Sequence, residues 1–175
     1  MQRALALLTL SFAACSIAHA GEESDCRRLL TLDEVASAIG GAAELASANT
    51  RGELGSGSVQ RLQVCGWSTA SLPGGGVNID VVPSVEPAAV AHALDVVAFP
   101  LKQRRELHWT EEQQDFGGVR CSSLSPPEPS TVQPQVTGCV GEVNGAALYV
   151  GIASRTGRPT FDLAKRLFDA AAARL

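Results

Sequence analysis

The stretch Val140-Gly141-Glu142-Val143-Asn144-Gly145-Ala146-Ala147-Leu148-Tyr149-Val150-Gly151-Ile152 decides the fold. Asn144-Gly145 is a two-residue turn signal, because both residues tolerate the positive φ of a type I′ hairpin. Val140 and Val143 before it, with Leu148, Val150 and Ile152 after it, supply the apolar positions of two paired strands. C-terminal to this hairpin, Thr160 is expected to cap a helix carrying Leu163, Ala164, Leu167, Phe168 and Ala171 at helical spacing. N-terminal to it lies Ser125 to Gln135, a loop holding Pro126, Pro127, Pro129 and Pro134, preceded by a strand expected over Gln114 to Ser123.

Further toward the N-terminus, Ser84 to Gln103 reads as one helix, with Pro87 near its first turn and Pro100 ending or kinking it. Val77, Ile79 and Val81 alternate with Asn78 and Asp80, the period-2 pattern of a half-buried strand. Leu72 to Gly76 turns the chain into that strand from another over Leu62 to Ser68. Thr31 and Glu34 form a capping box, with Leu30 and Val35 as its hydrophobic staple and Gly40-Gly41 as the stop. Thr50 to Ser58 reads as a mobile loop, and Gly21 to Asp25 as a loose start. The resulting order, α-β-β-α-β-β-β-α, predicts an α+β domain: an antiparallel sheet of about five strands packed with three helices on one face.

The first twenty residues have the layout of a secretory signal peptide (1–20). Arg3 is followed by the apolar run Ala4 to Ala14, and Ala18-His19-Ala20 matches a small-x-small cleavage pattern. The apolar run is shorter than the roughly 20 residues that span a bilayer, so no transmembrane segment is expected. A second reading makes Cys15 a lipid anchor, because Phe12-Ala13-Ala14-Cys15 has the form of a lipoprotein box with Phe12 in place of the usual aliphatic residue. Either way, residues 21–175 form a single exported domain, periplasmic or secreted, or anchored through Cys15. The chain has 14 basic and 18 acidic residues; without Arg3, 13 basic face 18 acidic, a net charge of −5. That surface does not favour nucleic acid or an anionic membrane as a partner.

Cys26, Cys65, Cys121 and Cys139 remain in the exported domain. An even set in an exported chain reads as two disulfides, with three pairings open on spacing alone. The spacings offer no C-x-x-C pair or close His ligands for a metal.

Cys26-Arg27-Arg28-Leu29-Leu30-Thr31, Glu34-Val35, Gly40 and Cys65-Gly66-Trp67 together resemble a recurring pattern in small exported bacterial domains of unknown function. Such domains are common in actinobacterial secreted proteins and lipoproteins. The Ala-rich last helix after Tyr149-Val150-Gly151-Ile152 is similar too. The resemblance implies an α+β fold with a Cys26–Cys65 disulfide, and nearest-neighbour order then pairs Cys121 with Cys139. It implies no activity, and lipid anchoring does not carry over from it.

Catalytic chemistry finds little support. His92 and His108 are the histidines after the leader, and His108 beside Trp109 and Glu111 is not a base aimed at a nucleophile. There is no Gly-x-Ser-x-Gly elbow or Ser-x-x-Lys pair. The glycines between Gly52 and Gly57 lack the Lys and helix start of a phosphate loop. Glu111, Glu112 and Asp115 read as a solvated acidic face, and Trp67 as core. No catalytic residue, cofactor or metal is therefore expected.

Two segments stand out as contact surfaces. Arg104, Arg105, His108 and Trp109 combine the residue types enriched in binding hot spots; the plainer reading is a Trp109 that folds its loop onto the domain. Pro126, Pro127, Glu128 and Pro129 lie in a loop that a Cys121–Cys139 bond would brace, with prolines limiting the entropy lost on binding. The plainer reading there is an insertion whose prolines prevent strand pairing. The expectation is an exported envelope protein of the inhibitor or immunity type that binds another envelope protein. The alternatives are a lipid-anchored accessory protein acylated on Cys15 and a small periplasmic hydrolase.

Overall fold

The computed structural model describes residues 12–51, 61–69, 75–83, 85–127, 133–154 and 160–175; for 12–20 and 51 it gives the backbone course. Two helices, α1 (Phe12–Leu29) and α2 (Leu32–Ile39), precede three strands, β1 (Glu44–Arg51), β2 (Leu62–Ser68) and β3 (Gly76–Val82). A short 3-10 turn (Pro87–Ala89) leads into α3 (Val90–Val97) and α4 (Phe99–Glu106). Four further strands follow, β4 (Thr110–Asp115), β5 (Arg120–Ser125), β6 (Gln135–Val143) and β7 (Ala146–Ser154), and then α5 (Phe161–Ala172). The strands form one sheet in the order β1-β2-β3-β7-β6-β5-β4, with every neighbouring pair antiparallel.

The β6–β7 hairpin turns at Asn144 and Gly145, with φ of 50° and 77°, and places β7 at the centre of the sheet. Ala146 to Ile152 is buried throughout, as befits a strand covered on both faces. On one face α1, α2 and α5 pack Leu29, Val35, Ile39, Leu167 and Phe168 against Trp67, Val77, Ile79 and Val150. On the other, α3 and α4 pack Ala93, Val97 and Leu101 against Leu124, Val136, Ala147 and Tyr149.

The expected architecture of about five strands and three helices on one face is thus corrected to seven strands and five helices among the described residues, with helices on both faces. The reasons are local. Gly21 to Asp25, expected to be loose, belongs to α1, which runs through the expected cleavage point at Ala20–Gly21. β1 (Glu-Leu-Ala-Ser-Ala-Asn-Thr-Arg) has little intrinsic strand preference and becomes a strand by pairing with β2. The single strand expected over Gln114 to Ser123 is a hairpin, because Gly117 and Gly118, with φ of 67° and 96°, reverse the chain between β4 and β5. The single helix expected over Ser84 to Gln103 is interrupted at Ala98, just before the Pro100 expected to end or kink it, and continues as α4 from Phe99 to Glu106. Thr50 of the expected mobile loop lies in β1, whereas residues 52–58, the turn at 72–74 and the glycines at 52, 55 and 57 fall outside the described residues.

The α2 start is as read. The Glu34 backbone N–H donates to Thr31 Oγ1 at 3.2 Å, and the Thr31 N–H donates to Glu34 Oε2 at 2.8 Å. At α5 the expected cap is corrected: Thr160 makes no side-chain cap bond, and its N–H instead donates to Thr137 Oγ1 at 3.3 Å.

The disulfides are Cys26–Cys65 and Cys121–Cys139. The first ties α1 to β2. The second joins residues directly opposite on β5 and β6. All four cysteines are fully buried, and this framework fits an exported chain in an oxidising compartment. Among the described residues, no helix is long and apolar enough to cross a membrane.

Candidate functional site

The site is built around the C-terminal end of α4. The last turn closes with two bonds: the His108 N–H donates to Arg105 O at 3.0 Å and the Trp109 N–H to Arg104 O at 3.2 Å. His108 takes φ of 57°. These are the paired bonds and left-handed residue of a Schellman motif, in which the residue two beyond the cap contacts the one three before it. Here that contact joins Trp109 and Arg104, with the guanidinium carbon 5.5 Å from the indole centre. Arg104 is held further by Nη1, which donates to Pro100 O at 2.6 Å. Its Nε is buried and has no hydrogen-bond partner among the described residues.

A groove of about 430 Å³ opens beside this pair. Gln103, Arg104, Glu106 and Leu107 form one wall; Trp109 and Pro134 with Gln133 form the rest. Leu107 is 61 % exposed. The Pro-rich loop reaches the same place, since Thr110, next to Trp109, pairs with Ser125 at one end of the loop, and Pro134 stands at the other. Pro126 is half-buried and Pro127 exposed, whereas Glu128 and Pro129 lie outside the described residues.

Arg105 turns away from this groove. It clasps Glu111, with Nε donating to Oε2 at 2.9 Å and Nη2 to Oε1 at 2.6 Å, and it also donates to Ser122 Oγ. The Arg105 bonds hold the Glu111 carboxyl at about 2, well below its ordinary value. Arg105 lines a second groove of about 500 Å³ with Asp95, Arg120 and Glu142 at its rim. The four residues Arg104, Arg105, His108 and Trp109 therefore do not form one surface: Arg104 and Trp109 share a groove, Arg105 is neutralised on another, and His108 is exposed and serves the turn. Trp109 is half-buried and packs against the core on the α3–α4 face of the sheet, as the plainer reading of its loop expects.

Elsewhere, Trp67 is core and His92 is exposed on α3. Glu111 and Glu112 are adjacent in β4 and so point to opposite faces, which disperses the expected acidic cluster. Among the described residues, no three His, Cys, Asp or Glu side chains are grouped to hold a metal ion. Sequence reasoning missed Gln103 and Leu107; their signal was their place on α4 and at the cap that ends it.

In the core cluster against which Trp109 packs lies Tyr149, fully buried, its ring over Gly138 and Gly151, which face each other across β6 and β7. Burial is the main cause that pushes the Tyr149 hydroxyl above its ordinary range; the nearby Asp80 charge adds to this and Arg104 opposes it.

No family model matches the chain, and no curated protein matches it. Among solved structures, the solution structure of cyanobacterial PsbP (CyanoP) from Synechocystis sp. PCC 6803 is similar, with a TM-score of 0.33 and 14 % identity over 75 % of this chain and 84 % of that one.

Proposed function

We propose that this chain is an exported protein of the cell envelope that acts by binding another envelope protein, in the manner of an inhibitor or immunity protein, and carries out no chemistry itself. The observation that supports this reading is the convergence at one groove of two segments that stand apart in sequence, the Arg104–Trp109 turn and the Pro-rich loop end at Pro134. The groove has the make-up of a protein contact: an aromatic and an exposed leucine together with Gln, Glu and Arg. The Schellman turn and the tether to Pro100 hold the anchor side chains before a partner arrives, which reduces the ordering entropy of association.

The reading is tested with a photo-crosslinking amino acid at Leu107 in cells that make the protein natively, with the same probe at Asp169 on α5 as control. The expected result is a discrete adduct from Leu107 that is absent from Asp169 and from a Leu107 probe carrying Trp109→Ala. Equal adducts from both positions would remove the groove as the contact surface.

A further inference from the structure

We infer that the Arg104–Trp109 groove takes an acidic side chain of a protein partner, an Asp or Glu beside an apolar residue, with Arg104 receiving the carboxylate and Leu107, Trp109 and Pro134 the apolar neighbour. This deepens the reading of the groove as a protein contact and rests on it.

Charge complementarity points to this occupant. Arg28 is bridged to Asp25, Arg105 to Glu111, Lys165 to Asp169 and Arg174 to Glu34. Arg104 forms no such ion pair among the described residues. Yet it is held in place at the groove by the Pro100 carbonyl, the Trp109 ring and the Schellman backbone bonds. Its Nε is shut off from water, with no acceptor among the described residues. A cation that has lost part of its hydration and has no anion beside it among the described residues gains more from an incoming carboxylate than a fully hydrated one does. The guanidinium plane matches a carboxylate in shape and charge, and its planar fork loses little further freedom on pairing. The chain as a whole is acidic, so long-range steering does not bring an acidic partner in; recognition depends on this short-range match. Glu106 on the same wall sets direction, because the partner's carboxylate must lie at the Arg104 end and away from Glu106.

The test is selection of random peptides displayed on phage against the full, disulfide-bonded protein, with counter-selection against Leu107→Asp and Trp109→Ala. Leu107→Asp alters an exposed position and so serves where Trp109→Ala disturbs folding. The expected groove-dependent peptides carry Asp or Glu next to an apolar residue. Their affinity should fall by about tenfold on Arg104→Gln, the worth of one charge-assisted hydrogen bond, and rise on Glu106→Gln. Retention of most of the affinity by Arg104→Lys would tie the loss to charge and not to folding. Groove-dependent peptides that lack a carboxylate and ignore Arg104→Gln would overturn the acidic pairing while leaving the groove as a protein contact. An absence of groove-dependent peptides would overturn both.

Discussion

Glu34 and Arg174, 140 residues apart, meet in a two-pronged ion pair: Arg174 Nη1 donates to Glu34 Oε2 at 2.9 Å and Nη2 to Oε1 at 2.7 Å. The same Nη1 donates to Leu29 O at 2.8 Å, so one guanidinium ties α5 to the end of α1 and the cap of α2. The arrangement combines local and distant sequence. Glu34 is placed by its own helix, as the third helical residue and the far member of a capping box, and Arg174 reaches it across the fold.

The pair gives stability a pH dependence. The Arg174 bond is the main cause holding the Glu34 carboxyl at about 2, below its ordinary 4.5. A carboxyl depressed by folding contributes its full stabilisation above its unfolded value and loses it as pH falls toward the folded one. Glu34→Gln keeps a side chain that can still serve the capping box and removes the charge. At pH 7 it should lower stability by about 0.5–1 kcal/mol, the range for a partly exposed pair. The difference from the unmodified protein should shrink from pH 4.5 downward and vanish only below pH 2. Urea unfolding at several pH values measures it, and a difference that stayed constant into acid would exclude the ion pair as its source.

Tyr149 and its two glycines make a packing test. A Cβ at Gly138 or Gly151 would fall inside the van der Waals radius of the Tyr149 ring. Gly138→Ala or Gly151→Ala should therefore destabilise by about 1–3 kcal/mol, as overpacking does. The Tyr149 hydroxyl has no partner among the described residues. Tyr149→Phe should accordingly be neutral or stabilising by about 1 kcal/mol, since it removes an unpaired buried polar group. A clear loss of stability in Tyr149→Phe, measured by thermal unfolding, would mean that the hydroxyl is hydrogen-bonded.

What the sequence made legible was what neighbouring residues decide among themselves. Thr31 with Glu34, Asn144 with Gly145, and the alternation from Val77 to Val81 carry their signals within a few residues, and the structure places a cap, a hairpin and a strand there. β1 and β4 carry no such signal. Glu44 to Arg51 contains small and helix-favouring residues, and Thr110 to Asp115 is polar on both faces because it is an edge strand. The second helical layer was written in Ala146 to Ile152, whose unbroken apolar run denotes burial on both sides, whereas alternation denotes burial on one. At the site, Arg104 and Trp109 could be singled out by residue type. The neutralisation of Arg105 could not, since Glu111 comes to it only through the turn that carries the chain from α4 into β4.

The disulfides differ in what they should contribute. Cys121 and Cys139 close a segment of 18 residues and Cys26 and Cys65 one of 39. In the chain-entropy account these restrict the unfolded chain by about 3 and about 4 kcal/mol. Replacing Cys121 and Cys139 together by Ala should lower the urea midpoint while β5 and β6 stay paired, because their register bonds remain. Replacing Cys26 and Cys65 should cost more and should free α1, since that bond is its covalent link to β2. Hydrogen exchange resolves the two: early exchange across 21–29 in the second variant, and in that variant alone, is the expected result. Equal loss of protection at β5–β6 in both would show that the fold opens as a unit.

His108 is the position where the site and its stability are most directly linked. It sits at φ of 57°, a left-handed conformation that crowds the Cβ of an L-residue and that glycine adopts freely. Its backbone N–H bonds to Arg105 O, and the next N–H bonds to Arg104 O, so this conformation is what brings Trp109 back over Arg104. The His108 side chain is exposed, and its removal forfeits little packing. His108→Gly should therefore stabilise the protein by about 0.5–1 kcal/mol, the relief of left-handed strain less the added freedom of the unfolded chain. Trp109 fluorescence should be unchanged, because the turn is kept. His108→Val should do the reverse, destabilising the turn and exposing the indole, since a β-branched residue is least tolerant of positive φ. If His108→Gly weakened the protein instead, the imidazole would be making a contact of its own; if His108→Val left the Trp109 emission untouched, the turn would not be what holds the ring against Arg104.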